Sequence, residues 1–138
     1  MGVVIDSSLL ISAFSDRDKF HQVAIKILDK ITESETEIYI PSLVLPEVCG
    51  GITRVTADKK EGEEAKKQIE RWISSGFFTV EELTKERMIN SAGFAIKFAI
   101  KGADAVFVSL AQEKGASLVS FDDKLKKKIR GKIKLFEL

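Results

Sequence analysis

The sequence predicts an α/β fold in which a five-stranded, mostly parallel sheet carries helices on both faces. Two observations lead there. Short β-branched or aromatic runs alternate with longer segments whose apolar residues recur at helical spacing. The first run, Val3-Val4-Ile5, is apolar at every position, the pattern of a strand buried on both sides. At 138 residues, the chain reads as one domain spanning 1–138, large enough for a substantial core.

Taken in order, strand one is Val3–Asp6, and Ser7 and Ser8 stand where they can cap a first helix over Leu9–Phe14. Val23, Ile27, Leu28 and Ile31 give the second helix its apolar face. "EIYIP" is strand two, stopped by Pro41. A third helix opens at Ser42 in "SLVLPEVCGGITRV", where Pro46 is tolerable only near the first turn. Gly50-Gly51 inside this helix costs roughly 1 kcal/mol per glycine relative to alanine, which points to close packing or a kink. The charged "TADKKEGEE" leads into an amphipathic helix, "AKKQIERWISS", that ends before Gly76. "FFTV" is strand three. Thr84 caps a long helix that runs to Gly102, and "ADAVFVSLAQEK" is a further helix closed by Gly115. "SLVS" is strand four, "DDKLKKKI" a short helix, and "KIKLFEL" strand five.

Composition narrows the function classes. Lys and Arg number 22 against 21 acids, a formal charge of +1, so nucleic-acid binding must rely on local patches. A single cysteine forms no intramolecular disulfide, and the start "MGVVID" is too short and too quickly acidic for a signal peptide. No apolar run reaches the length of a membrane span. These features predict a cytoplasmic protein.

The acids carry the functional signal. Parallel α/β sheets bind ligands at the carboxyl ends of strands, near the point where strand order reverses. Asp6 ends strand one, and Asp122-Asp123 follow strand four. If those strands are neighbours, the carboxylates share a crevice. Glu47 in "LVLPEVCGG" and Asp104 in "KGADAVFV" also sit in apolar company. Singly, each has a plainer role: Asp6 and Asp104 as helix-terminus acids, Glu47 as an exposed helix position. Together, four converging acids would be unstable without a cation, and all-oxygen donors call for a hard one, Mg²⁺ or Mn²⁺.

The ordered set "VVIDSSLLISAF", "IPSLVLPEV" and "KGADAVFVSLAQEKGASLVSFDDKL" resembles the PIN-domain nucleases across essentially the whole chain. It is most similar to small single-domain prokaryotic members, many of them VapC-type toxins of type II toxin–antitoxin pairs. The resemblance implies a PIN-like three-layer α/β/α sandwich. It implies metal ligation and catalysis by Asp6, Glu47, Asp104 and Asp122, with Ser7, Ser8, Ser120 and Asp123 in supporting positions. It implies RNA as substrate, a metal-dependent endoribonuclease activity and a cognate antitoxin. Two features depart from the family pattern: Ser8 stands where asparagine is common, and the last acid is doubled. The spacing from Ser120 favours Asp122 over Asp123 as the last ligand.

Chemistry by exclusion agrees. One histidine, His21, cannot supply a two-histidine mechanism, and Cys49 reads as a small buried hydrophobe. The basic run from Lys124 to Lys134 reads first as a solvated helix face. Its place beside Asp122 makes Lys124, Lys126, Lys127 and Lys128 candidate RNA-backbone contacts, with Arg54, two turns beyond Glu47, as a fifth. The apolar segment Phe94–Ile100 is expected in the core, with part available to a homodimer. The alternatives are an RNA-processing factor of the same fold or a non-catalytic RNA- or protein-binding module. A receiver-like signalling domain is a further reading, but it needs an acid pair after strand one and an aspartate after strand three. "FFTVEEL" offers only Glu81 and Glu82.

Overall fold

The computed structural model describes residues 2–137. Four parallel strands form the sheet: β1 (Gly2–Ile5), β2 (Glu37–Pro41), β3 (Phe78–Glu81) and β4 (Ser117–Val119), in the order β3-β2-β1-β4. The register pairs Val4 with Tyr39 on one side and Leu118 on the other. The chain therefore builds outward from β1 to β3, then returns to place β4 on β1's free side. That reversal makes the β1–β4 boundary the switch point.

Seven helices complete the described chain: α1 (Ser7–Phe14), α2 (His21–Glu33), α3 (Val44–Thr56), α4 (Lys59–Ser74), α5 (Lys85–Phe98), α6 (Gly102–Lys114) and α7 (Asp123–Ile129). Helix α6 lies against β1, β2 and β4 with α5 beside it, while α1, α2, α3 and α4 pack among themselves and α4 reaches β3. This is the three-layer α/β/α sandwich. The sheet contributes Val4, Ile5, Ile38 and Leu118 to the core, each at most 1% exposed. Burying one such side chain stabilises the fold by about 1.5–3 kcal/mol. Among the described residues, no helix is long and apolar enough to cross a membrane.

The fifth strand is the main correction to the sequence reading. The segment after α7 touches the sheet through one parallel bridge, Leu118 to Leu135. The Leu118 N–H donates to the Lys134 carbonyl at 2.8 Å, and the Phe136 N–H donates to the Leu118 carbonyl at 2.9 Å. A three-residue β4 offers little edge to pair with, and Lys132, Lys134 and Glu137 remain exposed. Leu138, the last residue of the expected strand, lies outside the described residues.

Smaller differences have local causes. Ser7 and Ser8 do not cap α1, because extended Asp6 does so, its carboxylate accepting from the Leu9 N–H. Helix α3 begins at Val44, two residues after Ser42, which leaves Pro46 in the first turn, where its missing N–H is harmless. It runs unbroken through Gly50-Gly51. A Cβ at Gly51 would lie 2.6 Å from Ile11 Cδ1, so the glycine admits close approach of α1. Helix α5 stops at Phe98, short of Gly102, because Ala99 turns left-handed at φ 53°. The segment Phe94–Ile100 is core only in part: Phe94, Phe98 and Ile100 are half-buried and pack against the core, while Ile96 is 83% exposed. Val23 is likewise exposed, and Ala24 takes its inward position on α2.

Candidate functional site

Asp6 sits at the switch point. Its N–H donates to the Val119 carbonyl at 3.1 Å, which ties the end of β1 to the end of β4. Its carboxylate is buried, and Oδ1 accepts from the Ser8 hydroxyl at 2.6 Å and the Leu9 N–H at 3.3 Å. Burial pushes its pKa up to about 6. Hydrogen bonding from Ser120, Ser8 and the Leu9 N–H opposes the rise, and the charge of Asp104 adds to it.

The two serines after Asp6 each hold a different acid. Ser8 donates to Asp6 and accepts from the Phe121 N–H at 3.1 Å, bridging the loop after β1 to the loop after β4. Ser7 donates to Glu47 Oε1 at 2.7 Å. Glu47 is half-buried in the first turn of α3.

Asp104 is half-buried in the first turn of α6, and its pKa is raised by burial first and then by the neighbouring Asp122 and Glu47 carboxylates. Lys101 opposes the rise. Asp104 is thus the acid whose charge reaches each of the other three. Asp122 caps α7, its Oδ1 accepting from the Leu125 N–H at 3.1 Å, while its own N–H donates to the Ser120 hydroxyl at 3.1 Å. Asp123 is separate. Its side chain is 93% exposed and faces Lys126 Nζ at 3.5 Å.

These acids come from four elements and interact through their charges. They do not converge as a finished ligand cage: among the described residues, no three acid, histidine or cysteine side chains form a group that could hold a metal ion. Coulomb interaction extends over several ångströms, whereas shared ligation needs oxygens roughly 2.0–2.6 Å from one ion. The stricter test governs any statement about ligation. In donor chemistry, the oxygen-only set fits a hard divalent cation.

The other sequence candidates fall in varied places. The Arg54 guanidinium lies close over Gly50, where a Cβ would stand 3.1 Å from its Nη1, and Arg54 is exposed. Lys124 and Lys127 are exposed, Lys126 faces Asp123, and Lys128 donates to the Ala99 carbonyl at 2.8 Å, engaging the end of α5. His21 Nδ1 is bonded to the Ser12 carbonyl at 2.9 Å, a structural contact. Cys49 is half-buried rather than buried, and burial raises its thiol pKa, the opposite of an activated nucleophile. Glu81 is held in ion pairs by Arg87 and Lys114 at 2.8 and 3.0 Å.

Sequence reasoning missed the aromatic side of this edge. Phe20 and Phe121 stack at 4.9 Å between centroids, with Lys19 Nζ 5.0 Å from the Phe20 centroid. The signal was an apolar residue embedded in "SFDD", with no periodicity to mark its partner.

The model of the PIN domain family matches residues 3–130, and the chain belongs to that family. Solved structures of similar fold include VapC20 from Mycobacterium tuberculosis, described as a sarcin-ricin loop cleaving toxin. It has 16% identity and a TM-score of 0.73, covering 91% of this chain and 94% of that one. VapBC2 from Rickettsia felis, solved bound to a promoter DNA fragment, has 18% identity and a TM-score of 0.67 over 100% and 99% of the two chains. A toxin–antitoxin complex from Klebsiella pneumoniae has 18% identity and a TM-score of 0.68 over 99% and 97%. Among curated proteins, none matches the sequence.

Proposed function

We propose that residues 1–138 act as a single-domain, metal-dependent endoribonuclease in the cytoplasm, the toxin of a type II toxin–antitoxin pair. The observation that carries this reading is the carboxylate edge. Asp6, Glu47, Asp104 and Asp122 come from the end of β1, α3, α6 and the start of α7, and their charges interact: burial and then Asp104 raise Asp6, and burial and then Asp122 and Glu47 raise Asp104. The structural relatives that are toxins support the biological role, and an antitoxin is the partner they suggest.

Asp6, Glu47, Asp104 and Asp122 are the residues that would hold Mg²⁺ or Mn²⁺. A cation held there would supply Lewis-acid polarisation of the phosphodiester and activation of water for hydrolysis. The protein's part is to orient the carboxylates. Ser8 and the Leu9 N–H fix Asp6 Oδ1, Ser120 adds a further hydrogen bond to the same carboxylate, and Ser7 aims Glu47. Asp122 is preferred over Asp123 as the fourth acid because its charge reaches Asp104 while Asp123 faces solvent. The exposed Met88, Ile89 and Ile96 on α5 support a homodimer, since they leave an apolar helix face uncovered in the monomer.

One observation favours a second reading, a non-catalytic RNA- or protein-binding module: the acids are not gathered as a ligand group. Asp6→Asn separates the two. It keeps the side-chain shape and removes the charge. RNA cleavage by metal-stripped protein with Mg²⁺ or Mn²⁺ restored should fall by roughly 10²-fold or more, the scale of losing a positioned catalytic group. Equal cleavage by wild type and Asp6→Asn overturns the nuclease assignment.

A further inference from the structure

Beside the carboxylate edge, a cleft of 240 Å³ opens between the end of β4, α7 and the segment that follows it. Its lining includes Phe121, Phe136, Lys126 and Arg130, with Glu137 as an acid on the same wall. Lys30 Nζ stands 5.9 Å from the Phe136 ring centroid, adding a cation. The cleft and the carboxylate edge share a wall. Ser120, which hydrogen-bonds toward Asp6, lines the cleft, and so does Phe121, whose N–H is held by Ser8. Phe121 is braced from outside by its stack on Phe20.

We propose that this cleft is a nucleobase subsite for single-stranded RNA, an inference that rests on the ribonuclease reading of the adjacent acids. One unstacked base enters against Phe121 and Phe136, and Lys126 and Arg130 meet the flanking phosphates. Aromatic faces accept any base, and cations interleaved with them suit a polyanionic strand. The volume sets the size of the occupant. Pockets that bury whole drug-sized ligands run about 300–1,000 Å³, so this cleft has room for a base and not for a strand. A base inside a duplex cannot enter, being paired and stacked on both faces, so the substrate here is a loop, bulge or unpaired end. The shared Ser120–Phe121 wall places the bound base within a residue of Asp122.

The test measures binding apart from turnover. A fluorescein-labelled single-stranded oligoribonucleotide is titrated with the full chain in EDTA, by fluorescence anisotropy, beside the same backbone carrying abasic spacers. Wild type should bind the base-bearing strand about tenfold more tightly. Phe136→Leu, which keeps the wall apolar, should erase that preference while binding the abasic strand as wild type does. Arg130→Gln, at an exposed position that leaves the fold intact, should weaken both strands and lower the salt slope by about 0.7. Circular dichroism confirms the fold of each variant, and should Phe136→Leu not fold, the base preference of wild type and the Arg130→Gln slope decide. No binding by wild type, equal affinity for both strands, or a base preference that survives Phe136→Leu overturns the proposal. Cleavage by wild type but not by Asp6→Asn would leave the nuclease reading standing in any of those cases, and its loss would be read from that pair alone.

Discussion

Glu81 and Glu113 on one side of the molecule, and Asp6 and Asp104 on another, are carboxylates of the same chemistry in opposite states. Burial raises Glu81, but hydrogen bonds and charge from Lys114 and Arg87 bring it below the usual carboxylate range. Arg87 lowers Glu113 more directly, through a fork of two bonds at 3.0 and 2.7 Å. In that cluster, each acid has a cation supplied by the chain, and the product is a clip joining β3, α5 and α6. At the strand end, Lys101 lowers Asp104 but does not offset its burial and the charges of Asp122 and Glu47, and Asp6 and Asp104 stay raised. An acid cluster balanced from within belongs to the fold. One left unbalanced holds a field that only something from outside can neutralise.

The largest expected effect on stability follows from the burial of Asp6, to which the charge of Asp104 adds. Asp6 has a folded pKa of about 6 against an ordinary 3.8. Between those values, the folded protein holds the proton more tightly than the unfolded chain. This group's contribution to stability therefore falls as pH rises from about 4 to about 6, and the penalty is fully present above that window. At about 1.4 kcal/mol per unit, the penalty is roughly 3 kcal/mol. Denaturant titrations of metal-free wild type and Asp6→Asn at several pH values should show the wild type losing that much relative to the variant across the window. Parallel curves would mean that Asp6 does not titrate there.

A second effect sharpens the contrast by supplying the missing charge. Mg²⁺ or Mn²⁺ at a hundred times its dissociation constant should stabilise the wild type by about 2.7 kcal/mol, a rise in melting temperature of roughly 5–10 °C for a chain of this size. Asp6→Asn should show little of it. A wild-type melting curve indifferent to both cations would break the comparison.

The balanced cluster should respond in the other sense. Arg87→Gln leaves Glu81 and Glu113 short of a partner. The groups are partly exposed, so the cost is about 1–2 kcal/mol. The variant should melt earlier, cleave RNA at the wild-type rate per folded molecule, and retain the full metal-induced shift. A lost metal shift would mean that the two clusters are coupled through α6. The smallest effect belongs to Asp123→Asn, which should change stability by less than about 0.5 kcal/mol and leave cleavage intact. Loss of cleavage there would transfer the last ligand role from Asp122.

Much of this arrangement was legible in the chain itself. Strands one to four and the seven helices follow from short β-branched runs and helical spacing, whereas the meeting of β1 with β4 was only a condition there and is supplied by the fold. The four acids stood out because carboxylates embedded among apolar residues are costly, and in the fold the charge of Asp104 reaches the other three. What was not legible depends on partners distant in sequence. "KIKLFEL" has strand composition, but β4 is too short to pair with it beyond Leu118. Phe94–Ile100 has core composition, yet α5 lies outside α6 and exposes Ile96. Ser7 and Ser8 have cap chemistry, and Asp6 displaces them from that role, freeing both hydroxyls to orient acids.

The bridge from Ser8 to Phe121 has a consequence for the order in which the molecule comes into being. It joins residues 113 positions apart, and it sits where β4 docks on β1. Asp6, Glu47 and Asp104 are all synthesised before the segment that completes their edge. On a translating ribosome, these acids therefore wait, unassembled, until Ser117–Asp122 has emerged and closed the longest loop in the sheet, a slow kind of contact to make. On the proposed nuclease reading, the site would therefore stay incomplete through most of the chain's own synthesis.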